Sequence, residues 1–242
     1  EWSVRDPHGR LEVGREGPQL TGSPSEAGVS ERRWTLPNII TVGRIAACPA
    51  VFLLVMAPGS ALRILGFVLF LAAALSDLWD GYLARKHGWV TDMGKLLDPL
   101  ADKLLLVATV VPIYLISQRP GPVGDVPWIG PLPLWIVAIL FGRELLVTLL
   151  RQVAKRRGVV IAAGTSGKRK ALVQNLFAGG VLLWFPVEQM AVDRGWDTAA
   201  WSVWSSFHRL WVVVTLALAV FLTLYSLLDY FWKYRGILGV RV

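Results

Sequence analysis

Apolar residues fall into six long runs separated by shorter polar or basic stretches. The runs extend roughly over Leu36–Met56, Leu62–Leu83, Leu96–Ile116, Leu134–Val153, Ala171–Val187 and Leu210–Phe231. Spanning a hydrocarbon core takes about 20 residues of helix. The pattern therefore predicts an all-α membrane bundle of six transmembrane helices over residues 34–235. Residues 1–33 are rich in Gly, Pro, Ser, Glu and Arg without periodicity, and read as an unstructured cytoplasmic tail. Residues 236–242 read as a short C-terminal tail.

Composition agrees with this pattern and narrows the partners. Hydrophobic residues make up 54% of the chain and charged ones 17%, with a net charge of +8. A soluble domain carries about a quarter charged residues. With so many apolar runs, the basic excess points to an anionic leaflet of the lipid bilayer and not to nucleic acid. The single cysteine, Cys48, lies inside an apolar run; it excludes an intramolecular disulfide and a cysteine metal site, and reads as a packing residue.

Lys and Arg collect in cytoplasmic loops. With six spans, Arg32, Arg33, Arg85, Lys86, Lys95, Arg151, Lys155, Arg156, Arg157, Lys168, Arg169, Lys170, Lys233, Arg235 and Arg241 share one side, against Arg63, Arg119, Arg194 and Arg209 on the other. Both termini are thus expected in the cytoplasm. The 12 tryptophans concentrate near span ends, as in an interfacial aromatic belt.

Charges inside spans are costly and need a reason. Asp77 and Asp80 are three residues apart at the end of the second run, and Asp98 and Asp102 are four apart at the start of the third. Both spacings place a pair on one helix face. Counting from Arg85 and Gly94 at about 1.5 Å per residue, both pairs reach roughly 12 Å below the same surface. Four carboxylates converging there cannot all stay ionised without counter-charge. All-oxygen donors favour Mg²⁺, Mn²⁺ or Ca²⁺ over zinc. Two such ions would suit in-line displacement at phosphorus. Buried ion pairs with Lys103, Arg143 or Arg85, or a divalent-cation transport path, would use the same residues.

The string Asp77-x2-Asp80-Gly81-x2-Ala84-Arg85-x8-Gly94-x3-Asp98-x3-Asp102 resembles the signature of the CDP-alcohol phosphotransferase family at all eight defining positions. The resemblance implies an enzyme with six spans, a homodimer, and two divalent cations, Mg²⁺ or Mn²⁺, held by Asp77, Asp80, Asp98 and Asp102. Asp102 would also be the general base. Asp77, Gly81, Ala84 and Arg85 would contact the CDP moiety. An acceptor hydroxyl would attack the lipid-bearing phosphate and CMP would leave.

The flanks Leu36-Pro37-Asn38-Ile39-Ile40-Thr41-Val42-Gly43-Arg44, Arg143-Glu144, Arg151 and Gly167-Lys168-Arg169-Lys170 resemble the members that use CDP-diacylglycerol and glycerol 3-phosphate. Ala171 departs from their usual Thr, so phosphatidylglycerol or inositol phosphate stays open as acceptor. Arg143, Arg151, Lys168 and Lys170 are the candidates for binding the acceptor phosphate, with Glu144 as a rival partner of Arg143. Asn38, Thr41 and Arg44 either cap the first helix or touch the nucleotide. The setting expected is a bacterial plasma (inner) membrane, with the site facing the cytoplasm. His8, His87 and His208 receive no role.

Overall fold

The computed structural model describes residues 4–5, 11–12, 35–87, 91–121, 124–156 and 165–234. By its contacts the chain divides into Glu1–Arg33 and Trp34–Val242. In the first unit, β1 (Val4–Arg5) pairs antiparallel with β2 (Leu11–Glu12). The rest of the segment read as a tail lies outside the described residues, as do residues 235–242.

The second unit consists of six helices: α1 (Leu36–Met56), α2 (Ser60–His87), α3 (Asp92–Ser117), α4 (Leu134–Arg156), α5 (Thr165–Arg194) and α6 (Ala199–Tyr234). Pro37 sits in the first turn of α1, where its missing N–H costs nothing. The hydroxyl of Thr91 accepts from the Gly94 N–H at 3.0 Å and caps α3. Among the described residues, five helices are long and apolar enough to cross a membrane. The sixth, α4, is not among them, because Arg143, Glu144 and Arg151 interrupt its apolar run.

α5 and α6 exceed their apolar runs, with 30 and 36 residues. For the start of α6 the physical reason is a stack of rings. Trp201, Trp204 and His208, on the first turns of α6, lie against Trp184 of α5 with centroids 5.6–6.3 Å from it. His208 Nε2 lies 2.8 Å from the Gly180 carbonyl. Aromatic packing thus extends α6 ahead of the segment that hydropathy alone marks. The extra residues of α5 carry polar contacts instead, with Lys170 donating to Glu144 and Gln189 Oε1 accepting from Arg63 Nη1.

α1 packs on α2 and α3, α5 on α2 and α6, and α4 on α6. Val51, Phe70, Ile113, Leu140, Phe177 and Val181 form the centre, each at most 2% exposed, while Leu53, Leu96, Phe221 and Leu228 face outward. An apolar outer surface suits lipid and would be a liability in water. The α1–α2 hairpin is close enough to need glycine: a Cβ on Gly66 would lie 3.0 Å from Val55 Cγ2 and 3.1 Å from the Val55 N. Small residues are the usual means of such approach between membrane helices. Gly66→Val is expected to destabilise the fold by about 2 kcal/mol, read as a lower Tm in detergent. Cys48 is buried and donates to the Arg44 carbonyl, a packing role as expected.

Candidate active site

Two helix faces and a third helix build the site. The i, i+3 and i, i+4 spacings bring Asp77 and Asp80 of α2 toward Asp98 and Asp102 of α3. α1 crosses between them and contributes Thr41 and Arg44. The Thr41 hydroxyl lies 3.0 Å from Asp98 Oδ1 and 3.3 Å from Asp80 Oδ2. Arg44 Nη1 donates to Asp77 Oδ1 and, at 3.5 Å, to Asp102 Oδ1; Nη2 donates to Asp80 Oδ2. One guanidinium therefore bridges both carboxylate-bearing helices.

Burial grades the four acids. The Asp80 side chain is 6% exposed, Asp77 41% and Asp102 61%. Asp98 is exposed. The cluster thus has a closed floor at Asp80 and an open rim at Asp102. Arg44 lies among the acids, and no group of three or more His, Cys, Asp or Glu among the described residues forms a metal-ligand shell as it stands. The donor set still suits a hard divalent cation. Every donor is oxygen, and Asp77, Asp80 and Asp102 each have a second carboxylate oxygen that Arg44 does not touch.

Of the two expectations for the residues at the start of α1, helix capping is not met. Thr35 is the N-cap residue and makes no side-chain cap bond, so Asn38, Thr41 and Arg44 do not cap the helix. Asn38 is 2% exposed and its amide Nδ2 donates to Thr91 Oγ1 at 2.9 Å. Thr41 is 1% exposed and faces the acids. Gly94 belongs to this contact: a Cβ there would sit 2.8 Å from Asn38 Oδ1. Gly94 thus lets α3 start against α1, a close approach of the kind glycine permits. Gly81 follows Asp80 on α2. The side chains of Ala84, Arg85 and Lys168 lie outside the described residues, and so does any contact they make.

A second polar cluster joins α4, α5 and α6. Glu144 Oε1 accepts from Arg143 Nη1 at 3.0 Å and from Lys170 Nζ. Arg143 Nη2 donates to Ser226 Oγ at 2.7 Å, and Arg151 Nη2 to the Tyr230 hydroxyl at 2.7 Å. Both guanidinium groups lie over the Tyr230 ring, at 5.6 and 5.7 Å from its centroid. The Arg143 and Lys170 side chains are 7% and 3% exposed, and the buried Arg143 Nε has no partner among the described residues. Lys170 lies within electrostatic reach of Asp102, which links the two clusters. Three of the four cations expected around an acceptor phosphate are thus gathered in one place. Glu144, the rival partner, is gathered with them.

Sequence reasoning missed Arg44 as the partner of the acids, and it missed Ser226 and Tyr230 altogether. An ionisable residue in an apolar run was the available signal for Arg44. A hydroxyl one turn from Tyr230 on α6 was too common a feature to single out Ser226.

These two clusters on a helical membrane scaffold define a class. Residues 34–225 match the model of the CDP-alcohol phosphatidyltransferase family, and the chain belongs to that family. It is an enzyme family, which leaves the cation-transport alternative without support. The chain is 33% identical over 199 residues to the CDP-diacylglycerol–glycerol-3-phosphate 3-phosphatidyltransferase of Bacillus subtilis, covering 74% of this chain and 96% of that protein. It is 34% identical over 148 residues to the enzyme of that name in Rickettsia bellii, covering 61% of this chain and 74% of that one. A probable phosphatidylglycerophosphate synthase of Mycobacterium tuberculosis H37Rv is 37% identical over 148 residues, covering 60% of this chain and 64% of that protein.

Proposed function

We propose that this protein transfers the phosphatidyl group from CDP-diacylglycerol to glycerol 3-phosphate, giving phosphatidylglycerophosphate and CMP. The observation that carries the reading is the convergence of Asp77, Asp80, Asp98 and Asp102 from two helices onto one point. The names of the relatives supply the donor and acceptor.

Asp102, on the open rim, takes the proton of the acceptor hydroxyl. The hydroxyl oxygen bonds to the phosphorus that carries diacylglycerol, the bond from that phosphorus to the bridging oxygen breaks, and CMP leaves with that oxygen. Two Mg²⁺ or Mn²⁺ ions, held by the four carboxylates, supply charge neutralisation on the diphosphate when bound. Asp77, Gly81, Ala84, Arg85, Asn38 and Thr41 are assigned to binding the CDP moiety. Arg143, Arg151, Lys168 and Lys170 hold the acceptor phosphate; the unpartnered Arg143 Nε supports this. In the membrane the chain makes six spans, α4 included because α5 and α6 shelter its charges. Both termini and the site face the cytoplasm of a plasma membrane, and the protein works as a homodimer.

The test is CMP release from CDP-diacylglycerol with Mg²⁺, offering glycerol 3-phosphate, inositol phosphate and phosphatidylglycerol separately. Release with glycerol 3-phosphate alone is the expected result. Release only with another acceptor overturns the acceptor assignment, and release with none overturns the activity. A finer check uses Tyr230→Phe, which keeps the ring and removes the hydroxyl that accepts from Arg151. Losing one such bond is worth about 1 kcal/mol, so the KM for glycerol 3-phosphate should rise roughly fivefold. Steady-state kinetics should show kcat nearly unchanged.

A further inference from the structure

Arg44 sits inside α1, yet its side chain is fully buried and its guanidinium touches one oxygen each of Asp77, Asp80 and Asp102. Its Nε is buried without a hydrogen-bond partner among the described residues. Nothing among the described residues anchors this cation except the acids. A buried charge is tolerated only with such partners. The relation also runs the other way. Four acids in one place repel one another, and Arg44, the cation in contact with them among the described residues, leaves a formal charge of −3.

We propose that Arg44 is the built-in counter-cation of the site. It positions carboxylates from α2 and α3 by holding one oxygen of each. It also lets the folded protein tolerate the cluster without divalent cations. Arg44 and the metal ions then draw on the same negative charge, so each weakens the hold of the other, a negative coupling that is reciprocal by linkage. Arg44 acts through the acids, and touches neither substrate nor a reacting atom. The inference rests on the reading of the four carboxylates as a divalent-cation site.

The experiment measures Tm of the full chain in detergent, in EDTA and in Mg²⁺, together with Mn²⁺ binding by paramagnetic resonance. It compares wild type with Arg44→Met and Arg44→Lys. Arg44→Met should lose about 10 °C in EDTA and recover most of it in Mg²⁺, because the ions replace the missing charge. It should bind Mn²⁺ about tenfold more tightly than wild type. Arg44→Lys keeps the charge but not the fork, and should retain most of the EDTA stability.

Three results overturn the proposal: a Tm loss in Arg44→Met that is equal in EDTA and Mg²⁺, weaker or unchanged Mn²⁺ binding, or a lysine variant no better than methionine. If Arg44→Met accumulates only when purified in Mg²⁺ and unfolds on chelation, that is the expected dependence in its extreme form. Wild type that binds no Mn²⁺ sinks the metal site itself, and the competition with it. Mn²⁺ binding by wild type with no change in the variants sinks only the role of Arg44.

Discussion

Asp80→Asn is expected to cut CMP release about a thousandfold or more while leaving the protein no less stable in EDTA. The first half follows from position. Asp80 is the most buried of the four acids and the floor of the cluster. On the proposed reading, neutralising it removes a ligand and a charge where a metal would contribute several kcal/mol to the transition state. The second half follows from the surplus of negative charge. With Asp80 neutral, Arg44 retains Asp77 and Asp102, and the repulsion among the remaining acids falls. A site built for function and not for stability often behaves this way. The measurement is Tm in EDTA beside CMP release. A thousandfold loss accompanied by unfolding would show that Asp80 holds the bundle together. The cost of Arg44→Met should also shrink in the Asp80→Asn background, since the two side chains are in contact.

Asp102→Asn is expected to lower kcat about a thousandfold, for a different reason. Asp102 is 61% exposed, and its contact to Arg44, at 3.5 Å, is long and weak. A carboxylate held loosely at the open rim is suited to accept a proton, and general-base catalysis typically contributes 10²–10⁴. The loss should be the same with every acceptor that the enzyme uses, because each one presents a hydroxyl. Arg143→Ala should instead act chiefly through a higher KM for glycerol 3-phosphate. An Asp102→Asn variant retaining a tenth or more of wild-type kcat would remove Asp102 from the role of base.

What could be read in the sequence was what is local. The pairs Asp77/Asp80 and Asp98/Asp102 share a face within one helix turn, and their approach across a short loop follows from helix geometry. Arg44 could not be read in the same way. Its partners are 33, 36 and 58 residues away, and nothing about the Asn38–Arg44 segment distinguishes a helix cap from a strut reaching into another pair of helices. Arg143 was legible as a cation inside a span that needed a partner, and Lys170 as a candidate for the acceptor phosphate. That Glu144 would serve both depends on where α4 and α5 lie around α6, which no spacing encodes. The start of α6 was misjudged because hydropathy stops where the rings of Trp201, Trp204 and His208 begin to stack on Trp184.

That ring stack has a mechanical consequence. α5 carries Lys170 near its first turn and Trp184 four turns later, on a helix about 45 Å long. Trp184 is itself only 1% exposed, so the stack fastens α5 to α6 inside the bundle. Toward the other end of the same two helices, Lys170 of α5 and Ser226 of α6 are joined through Arg143 and Glu144 of α4. α5 and α6 are therefore pinned at two levels, one by rings and one by charges, and a displacement of either helix must carry the other with it.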